Sequence, residues 1–215
     1  MGELLDLVLH LDAHVALLVH TAGPWAYLVL FAVIFCETGL VVTPFLPGDS
    51  LLFAAGAVAA LGGLDIDLLA RLLFVAAVAG DAVNYAIGKR VGRRAAHRWA
   101  RPEHLARTEA FFARHGGKAV VLARFAPIVR TLAPFVAGMG AMSYWKFTLY
   151  NLLGAGLWVG GFVYAGYFFG AVPFVQEHFT LFVLGIIVLS VLPVLVRVVP
   201  FGRLVPVRAA SREAA

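Results

Sequence analysis

Two arginines and two prolines lie close together in one stretch of this sequence, Arg124-Phe-Ala-Pro127-Ile-Val-Arg130-Thr-Leu-Ala-Pro134. The stretch interrupts an apolar segment that covers residues 119–142. Proline removes a backbone donor and breaks the helical hydrogen-bond pattern, so one continuous helix is not expected here. We predict a hairpin over residues 119–142, with its breaks at Pro127 and Pro134.

The whole chain has the composition of a membrane protein. Its 215 residues are 62% hydrophobic and only 13% charged, well away from the balance of an ordinary soluble domain. A spanning helix needs about 20 apolar residues and satisfies its backbone hydrogen bonds internally. We therefore predict a single all-helical, polytopic membrane domain over residues 1–215.

Another broken apolar segment lies earlier in the chain. Residues 44–49 read Pro-Phe-Leu-Pro-Gly-Asp and separate two apolar runs within residues 25–62. Proline and glycine both disfavour a continuous helix here. The acidic residues Glu37 and Asp49 flank this interruption. We predict another re-entrant hairpin, and its expected breaks are Pro44, Pro47 and Gly48.

The remaining segments complete an inverted repeat. In chain order we predict an amphipathic interfacial helix at 3–19, a transmembrane helix at 67–88, a basic loop at 89–118, transmembrane helices at 145–169 and 179–199, and a tail at 200–215. Two units of one hairpin and one spanning helix have opposite orientations, and the last spanning helix is additional. Pro44 aligns with Pro127, 83 positions further on. In the alternative topology residues 25–43 cross fully, and the N-terminus moves inside.

Basic residues indicate which side of the membrane each loop faces. Residues 1–70 contain no Lys or Arg, whereas Lys89–Lys118 contains nine and the tail from Arg197 contains four. Cytoplasmic loops carry this excess, so we place the loop and the C-terminus on the cytoplasmic side of the membrane. The positive charge then sets the orientation of the chain in the membrane and attracts anionic lipid. No nucleic-acid partner is expected.

Four ionisable residues at the two interruptions are the candidate site. A buried ionisable side chain in a membrane costs several kcal/mol unless it is paired or hydrated, and it often marks function. Guanidinium groups bind phosphate oxygens in bidentate fashion, so Arg124 and Arg130 are the candidate substrate-binding residues. Poor solvation favours the neutral form of a carboxyl group, so Glu37 and Asp49 are the candidate proton-coupling residues. In the alternative interpretation all four only form salt bridges between the hairpins.

Three further polar residues lie near the end of the predicted helix at 67–88. They are Asp81, Asn84 and Tyr85. We predict that they line the same polar path through the membrane. The alternative for Asp81 is a residue at the end of the helix that is hydrated at the membrane interface.

Other chemistries have weaker support. Asp6, His10 and His14 have the four-residue spacing that could hold zinc, but a hydrated polar helix face explains them without a metal. The sequence has no Gly-x-Ser-x-Gly, HExxH or P-loop pattern, each of which indicates a particular catalytic or nucleotide site. We therefore expect no enzyme activity, no catalytic residue, no cofactor and no metal.

Three blocks of residues carry a resemblance to a known family. They are Glu37-Thr-Gly-x-x-x-x-Pro44-x-x-Pro47-Gly48-Asp49, Gly80-Asp81-x-x-x-Tyr85-x-x-Gly88-Lys89-x-x-Gly92, and Arg124-Phe125-x-Pro127-x-x-Arg130-x-x-x-Pro134-x-x-Ala137-Gly138. In this order and spacing they resemble the DedA family, also called the SNARE-associated or VTT-domain family, over about residues 25–170.

The resemblance implies two oppositely directed re-entrant hairpins and movement of lipids between leaflets. The lipid would be a polyprenyl phosphate carrier such as undecaprenyl phosphate, or a phospholipid, often with dependence on the proton gradient. It also implies that the acidic pair and the arginine pair are functional. Two alternatives remain open: a proton-coupled exporter of small cations or drugs, and a membrane scaffold. The sequence is compatible with a homo-oligomer.

Overall fold

The computed structural model of the chain describes residues 11–40, 48–96, 109–110, 112–125, 127–178, 181–182 and 184–186. Every regular element that it describes is a helix, which confirms the predicted all-helical class. The helices are α1 Leu11–Ala22, α2 Trp25–Gly39, α3 Gly48–Ala60, α4 Ile66–Ala96, α5 Lys118–Ala123, α6 Pro127–Val136, α7 Tyr144–Gly170 and α8 Pro173–Glu177. A π-helical turn at Ala137–Ala141 continues α6.

Several predicted features lie wholly or partly outside the described residues. They are Pro44 and Pro47, the first part of the interfacial helix at 3–19, the middle of the loop at 89–118, most of the helix at 179–199, and the tail at 200–215. The described part of the predicted interfacial helix at 3–19 belongs to α1, which packs on α2 and α3.

Helix length and composition distinguish two kinds of helix. Within the described ranges, α7 is the one helix that is both long and apolar enough to cross a membrane. Helix α4 is longer, but it contains the charged residues Asp67, Arg71 and Asp81 between its start and its centre. Helices α2 and α3 are apolar, with 15 and 13 residues, fewer than the about 20 that a full crossing needs.

Each of the two segments that were predicted as hairpins contains two helices with an interruption between them. Helix α2 ends at Gly39 and α3 begins at Gly48, so the first interruption lies between them. Helix α5 ends at Ala123 and α6 begins at Pro127. Proline suits the first position of a helix, because a backbone N–H group at that position would have no partner within the helix. We call α2 with α3 the first hairpin and α5 with α6 the second hairpin.

The predicted break at Pro134 is wrong. Pro134 lies inside α6, which continues to Val136 and then into the π-helical turn. Proline removes one hydrogen bond and costs about 3 kcal/mol in a helix interior. Here the neighbouring residues Leu132, Ala133 and Phe135 are buried, and tertiary packing of this kind outweighs a local propensity. The backbone changes direction later, at Gly140, where φ is 122°.

Helix α4 also extends beyond the predicted transmembrane segment at 67–88. It continues to Ala96, so the first residues of the predicted basic loop are helical. Residues 89–96 contain no proline, and basic side chains stabilise the C-terminal end of a helix through its dipole. The change from apolar to basic residues therefore marks a change of environment along one helix, rather than its end.

The two hairpins pack on the two long helices in the same way. Helix α2 packs on α4, the long helix that follows it, and α5 likewise packs on α7. The second arms cross over, because α3 packs along α7 while α6 and its π-helical turn pack along α4. Helices α4 and α7 also contact each other. The packing of residues 25–96 is thus repeated by residues 118–170.

Glycines bring the backbones together where α3 crosses α7. A Cβ atom on Gly56 would overlap the carbonyl oxygen of Val163, and one on Gly166 would overlap that of Phe53. Small residues allow membrane helices to approach this closely. Each glycine follows the contacted carbonyl of its own helix by three positions, so the contact is reciprocal.

The same reciprocal contact occurs where α6 crosses α4. A Cβ atom on Gly138 would overlap the carbonyl oxygen of Tyr85, and one on Gly88 would overlap that of Phe135. Each glycine again follows a contacted carbonyl by three positions. The two crossings are therefore equivalent, which the loose alignment of the two broken segments predicted only in outline.

We predict that Gly56→Ala lowers the stability of the protein in detergent. The new methyl group would overlap the α7 backbone, and overpacking of this kind costs about 1–3 kcal/mol. Thermal unfolding followed by loss of the monodisperse species in size-exclusion chromatography measures this. Gly160→Ala is the control, since open space surrounds Gly160. An equal effect of both substitutions would contradict the close crossing.

Candidate functional site

The candidate site lies halfway along both long helices. Asp81 is the central residue of α4, and Trp158 is one position past the centre of α7. One apolar cluster contains Ala77 of α4 and Ala155 of α7, and a second contains Tyr85 and Phe147. Along α4 and α7, Asp81 and Asn151 lie between residues of these two clusters, and both are buried.

Arg130 holds the two acidic residues that flank the first interruption. Its Nη2 atom pairs with Glu37 Oε1, and its Nη1 atom lies 2.8 Å from Asp49 Oδ1. Arg130 belongs to α6, Glu37 to the end of α2 and Asp49 to the start of α3. Only 6% of the Arg130 surface is exposed. A Cβ atom on Gly48 would overlap the Glu37 carboxyl group, so glycine at the start of α3 makes room for it.

Arg124 lies at the interruption of the second hairpin and pairs with α4. Its Nη2 atom is 2.5 Å from Asp81 Oδ2 and 2.6 Å from Asn151 Oδ1. Asn151 is held in turn, because its amide group donates to the Val78 carbonyl at 3.2 Å. Arg124 is 2% exposed. Its Nε and Nη1 atoms have no hydrogen-bond partner among the described residues.

Trp158 connects the two arginines. The Cζ atoms of Arg130 and Arg124 lie 5.0 and 5.7 Å from the centre of its ring, within the range of cation–π attraction. Its indole N–H donates to Asp49 Oδ1 at 2.7 Å, the oxygen that Arg130 also contacts. One fully buried aromatic side chain therefore contacts both cations and one anion of the site.

Asn84 and Tyr85 fix the backbone around the charges. The Asn84 side-chain amide donates to the carbonyl oxygens of Thr38 and Thr131, at 3.1 and 2.9 Å. It therefore joins the first hairpin to the second. The Tyr85 hydroxyl donates to the Met142 carbonyl at 3.1 Å. Asn84 therefore holds both hairpins against α4, and Tyr85 holds the end of the π-helical turn there.

The charges of the site are divided between the two halves of the packing. The three carboxylates belong to residues 25–96, and the two guanidinium groups belong to residues 118–170. Each ion pair consequently links one half to the other. With all five groups ionised, three negative and two positive charges leave one net negative charge in a buried place.

Comparison with known proteins identifies the family. The model of the VTT domain matches residues 46–168. The chain is 52% identical to the protein named DedA of Escherichia coli strain K12 over 206 residues, which cover 93% of this chain and 94% of that protein. This chain belongs to the DedA family.

Other DedA-family relatives are named as membrane proteins. An uncharacterized membrane protein of Mycobacterium leprae is 42% identical over 76% of this chain and 75% of its own length. The inner membrane protein YqjA of Escherichia coli strain K12 is 37% identical over 68% of this chain and 69% of its own length. Among solved structures, none matches the chain.

The structure brings together the four residues selected from the sequence and adds Asp81 to them. Arg130 binds both Glu37 and Asp49, whereas Arg124 binds Asp81 instead. Asp81 is 3% exposed in the middle of α4, so the alternative of a hydrated residue at a helix end is wrong. That alternative assumed that the helix ends near residue 88, and α4 continues beyond it.

The sequence reasoning missed the two polar residues that α7 contributes, Asn151 and Trp158. Both lie in a segment that is otherwise apolar, and buried amide and indole groups need hydrogen-bond partners. A polar side chain in an apolar segment was therefore the signal that could have identified both residues. Gly154, on the same helix, leaves space for Arg124, because a Cβ atom there would lie 3.0 Å from Arg124 Cδ.

The described residues hold no group of three His, Cys, Asp or Glu side chains placed to bind a metal ion. The zinc alternative at Asp6 and His10 lies outside the described ranges. At the site itself, Glu37, Asp49 and Asp81 are each bound by a guanidinium group. The buried atoms of these charged groups that have no hydrogen-bond partner among the described residues are Nε and Nη1 of Arg124, which are donors, and Oε2 of Glu37, which is an acceptor.

We predict that Trp158→Phe destabilises the protein by about 1–3 kcal/mol. Phenylalanine keeps an aromatic face for the arginines but leaves Asp49 without the indole hydrogen bond, and bonds to charged groups contribute about this much. Trp158→Leu removes the aromatic face as well and is expected to cost more. Thermal unfolding in detergent measures both substitutions.

Trp145→Phe is the matched control for this prediction. Trp145 begins the same helix and is 81% exposed, so its replacement is expected to leave the unfolding temperature unchanged. Equal stability of the Trp158→Phe and unmutated proteins would show that the indole bond to Asp49 contributes nothing.

Proposed function

We propose that this protein is an integral protein of a bacterial inner membrane that moves a phosphate-bearing lipid between the leaflets. The lipid is undecaprenyl phosphate or a phospholipid, and transport is coupled to the proton gradient. The observation that carries the proposal is the pair of buried arginines next to the middle of α4 and α7. One of these arginines, Arg124, has unused hydrogen-bond donors. Relatives named as inner membrane proteins support the location.

The proposal includes a membrane topology. The two hairpins enter the membrane from opposite sides, and each turns back near the midplane. A further spanning helix follows at 179–199. The equivalent glycine crossings support this inverted repeat, since they pair each hairpin with the other half in the same way. The basic loop and the C-terminus lie on the cytoplasmic side.

Arg124 supplies the donors that a phosphate group requires. A guanidinium group presents five N–H donors in a planar fork and keeps its charge. Arg124 uses only its Nη2 atom on the described residues, so Nε and Nη1 remain to bind oxygen. An unpaired donor in a buried place costs about 1–3 kcal/mol. A phosphate ligand would remove that cost at Arg124.

The carboxylates supply the proton coupling. Glu37 and Asp49 together hold Arg130, and protonation of either weakens its attraction for the guanidinium group. The second hairpin could then separate from the first and open the site to one leaflet. We propose on this basis that Glu37 and Asp49 accept protons as access alternates, and that the protein transports its ligand without catalysing a reaction.

We predict that native mass spectrometry detects a phosphorylated lipid bound to the purified unmutated protein. The variants Arg124→Ala and Arg130→Ala, each measured separately, are expected to have lost this lipid. Each substitution removes one cation from the buried pair that would bind the head group. The mass of the retained lipid distinguishes a polyprenyl phosphate from a phospholipid.

Arg114→Ala is the control for this experiment. Arg114 is exposed, so its replacement is expected to leave the lipid in place. Equal lipid retention in all the variants would contradict a head-group site at these arginines. Loss of lipid binding with drug resistance retained would instead favour the exporter of small cations or drugs.

We predict that Glu37→Gln abolishes the stimulation of lipid movement by a proton gradient. Glutamine keeps the shape of the side chain but cannot exchange a proton. The measurement uses proteoliposomes with an NBD-labelled phosphatidylglycerol, whose exposure to dithionite reports movement between leaflets, with and without an imposed pH gradient. Glu177→Gln, at an exposed residue of α8, is the control. Full stimulation of Glu37→Gln by the gradient would contradict a coupling role of Glu37. No lipid movement by the unmutated protein would favour a scaffold.

A further inference from the structure

Arg124 has a particular pattern of occupied and unoccupied donors. Both of its hydrogen-bonded partners, Asp81 and Asn151, contact the same atom, Nη2. The other two nitrogens, Nε and Nη1, have no partner among the described residues. A guanidinium group has two edges that can bind two oxygens at once, Nε with Nη2 and Nη1 with Nη2. Both edges share the nitrogen that is occupied.

Bidentate binding of a phosphate therefore needs an Nη2 hydrogen that a protein group holds in this structure. Phosphate and carboxylate favour this paired geometry with arginine. If the phosphate displaces Asp81, it leaves a buried carboxylate without its guanidinium partner. If it displaces Asn151, it lies next to the ionised Asp81 on the same nitrogen. The first arrangement leaves Asp81 uncompensated, and the second places two anions on one guanidinium group; a neutral Asp81 relieves both.

The surroundings of Asp81 offer no further cation to compensate that charge. The charged groups that act on it are Arg124 from the second interruption and Arg130 from α6. Arg130 is already bound by Glu37 of α2 and Asp49 of α3. Helix α7 contributes the neutral Asn151 and Trp158. Among the described residues, the site thus contains one more carboxylate than guanidinium groups before any ligand arrives.

We infer that Asp81 occupies the phosphate position on Arg124 when no lipid is bound, and that head-group binding is coupled to uptake of one proton by Asp81. This inference rests on the proposed function. In the exchange, the Arg124–carboxylate pair is replaced by an Arg124–phosphate pair, and the Asp81 carboxylate takes a proton from the medium to become a neutral carboxyl group. Release of the lipid returns the proton. Asp81 is thereby a third coupling carboxylate, separate from Glu37 and Asp49.

Isothermal titration calorimetry of the full chain in detergent tests this. The probe is farnesyl phosphate, with farnesol as the phosphate-free control, at pH 8, where the second ionisation of a phosphate monoester (pKa about 6) is complete. Titration in two buffers of different ionisation enthalpy gives the number of protons taken up. We expect about one proton more per ligand for the unmutated protein than for Asp81→Asn.

Asp81→Asn is also expected to bind farnesyl phosphate more tightly, by roughly tenfold, because the competing anion is gone. Asp67→Asn is the matched control, since Asp67 is an exposed carboxylate of the same helix. It is expected to match the unmutated protein in both quantities. If Asp81→Asn takes up as many protons as the unmutated protein, or binds more weakly, the inference is wrong.

Two further outcomes keep the inference separate from the proposed function. If the unmutated protein binds neither ligand, or binds farnesol as well as farnesyl phosphate, the head-group site itself is refuted. If it binds farnesyl phosphate but Glu37→Gln or Asp49→Asn abolishes the extra proton uptake instead, only the role of Asp81 is refuted.

The unmutated protein provides a test that does not depend on the folding of a variant. Infrared difference spectra on addition of farnesyl phosphate should show a new band of a protonated carboxyl group. Absence of that band with the ligand bound would overturn the inference.

Discussion

Buried opposite charges join the two halves of this protein. Residues 25–96 contribute three carboxylates and residues 118–170 contribute two guanidinium groups. An ionised group left buried without its partner costs several kcal/mol, so either half alone would carry that cost. The requirement to pair these charges therefore determines that the hairpin ends meet α4 and α7 at the same depth.

Close backbone contact makes that pairing possible. In a lipid environment apolar side chains gain little by leaving the solvent, so helices associate through packing of small residues and through polar contacts. The reciprocal contacts at Gly56 with Gly166, and at Gly88 with Gly138, bring each hairpin against the other half. Glycine at these positions and charge at the centre act together, because wider crossings would separate the ion pairs.

The packing is symmetric, but the chemistry is not. Arg130 is bound by two carboxylates, Glu37 and the indole-bonded Asp49. Arg124 instead binds Asp81 and an amide through a single nitrogen. Equivalent helix crossings suit a protein that exchanges two related conformations. Under the proposed function, the unequal arginines would have two different tasks, namely holding the hairpins together and presenting donors to an anion. Trp158 contacts both arginines and so connects the two tasks.

Local rules of the sequence account for the all-helical class, for the interruptions before Gly48 and Pro127, and for the selection of Glu37, Asp49 and both arginines. These follow from composition, from proline and glycine chemistry, and from the cost of a charge in an apolar segment, which need no knowledge of neighbours. Only the tertiary structure decided that α6 continues through Pro134, that Arg124 pairs with Asp81 on α4, and that α7 contributes Asn151 and Trp158. The physical reason is that these outcomes depend on which helix faces are brought within hydrogen-bond distance, and packing between segments distant in the chain determines that.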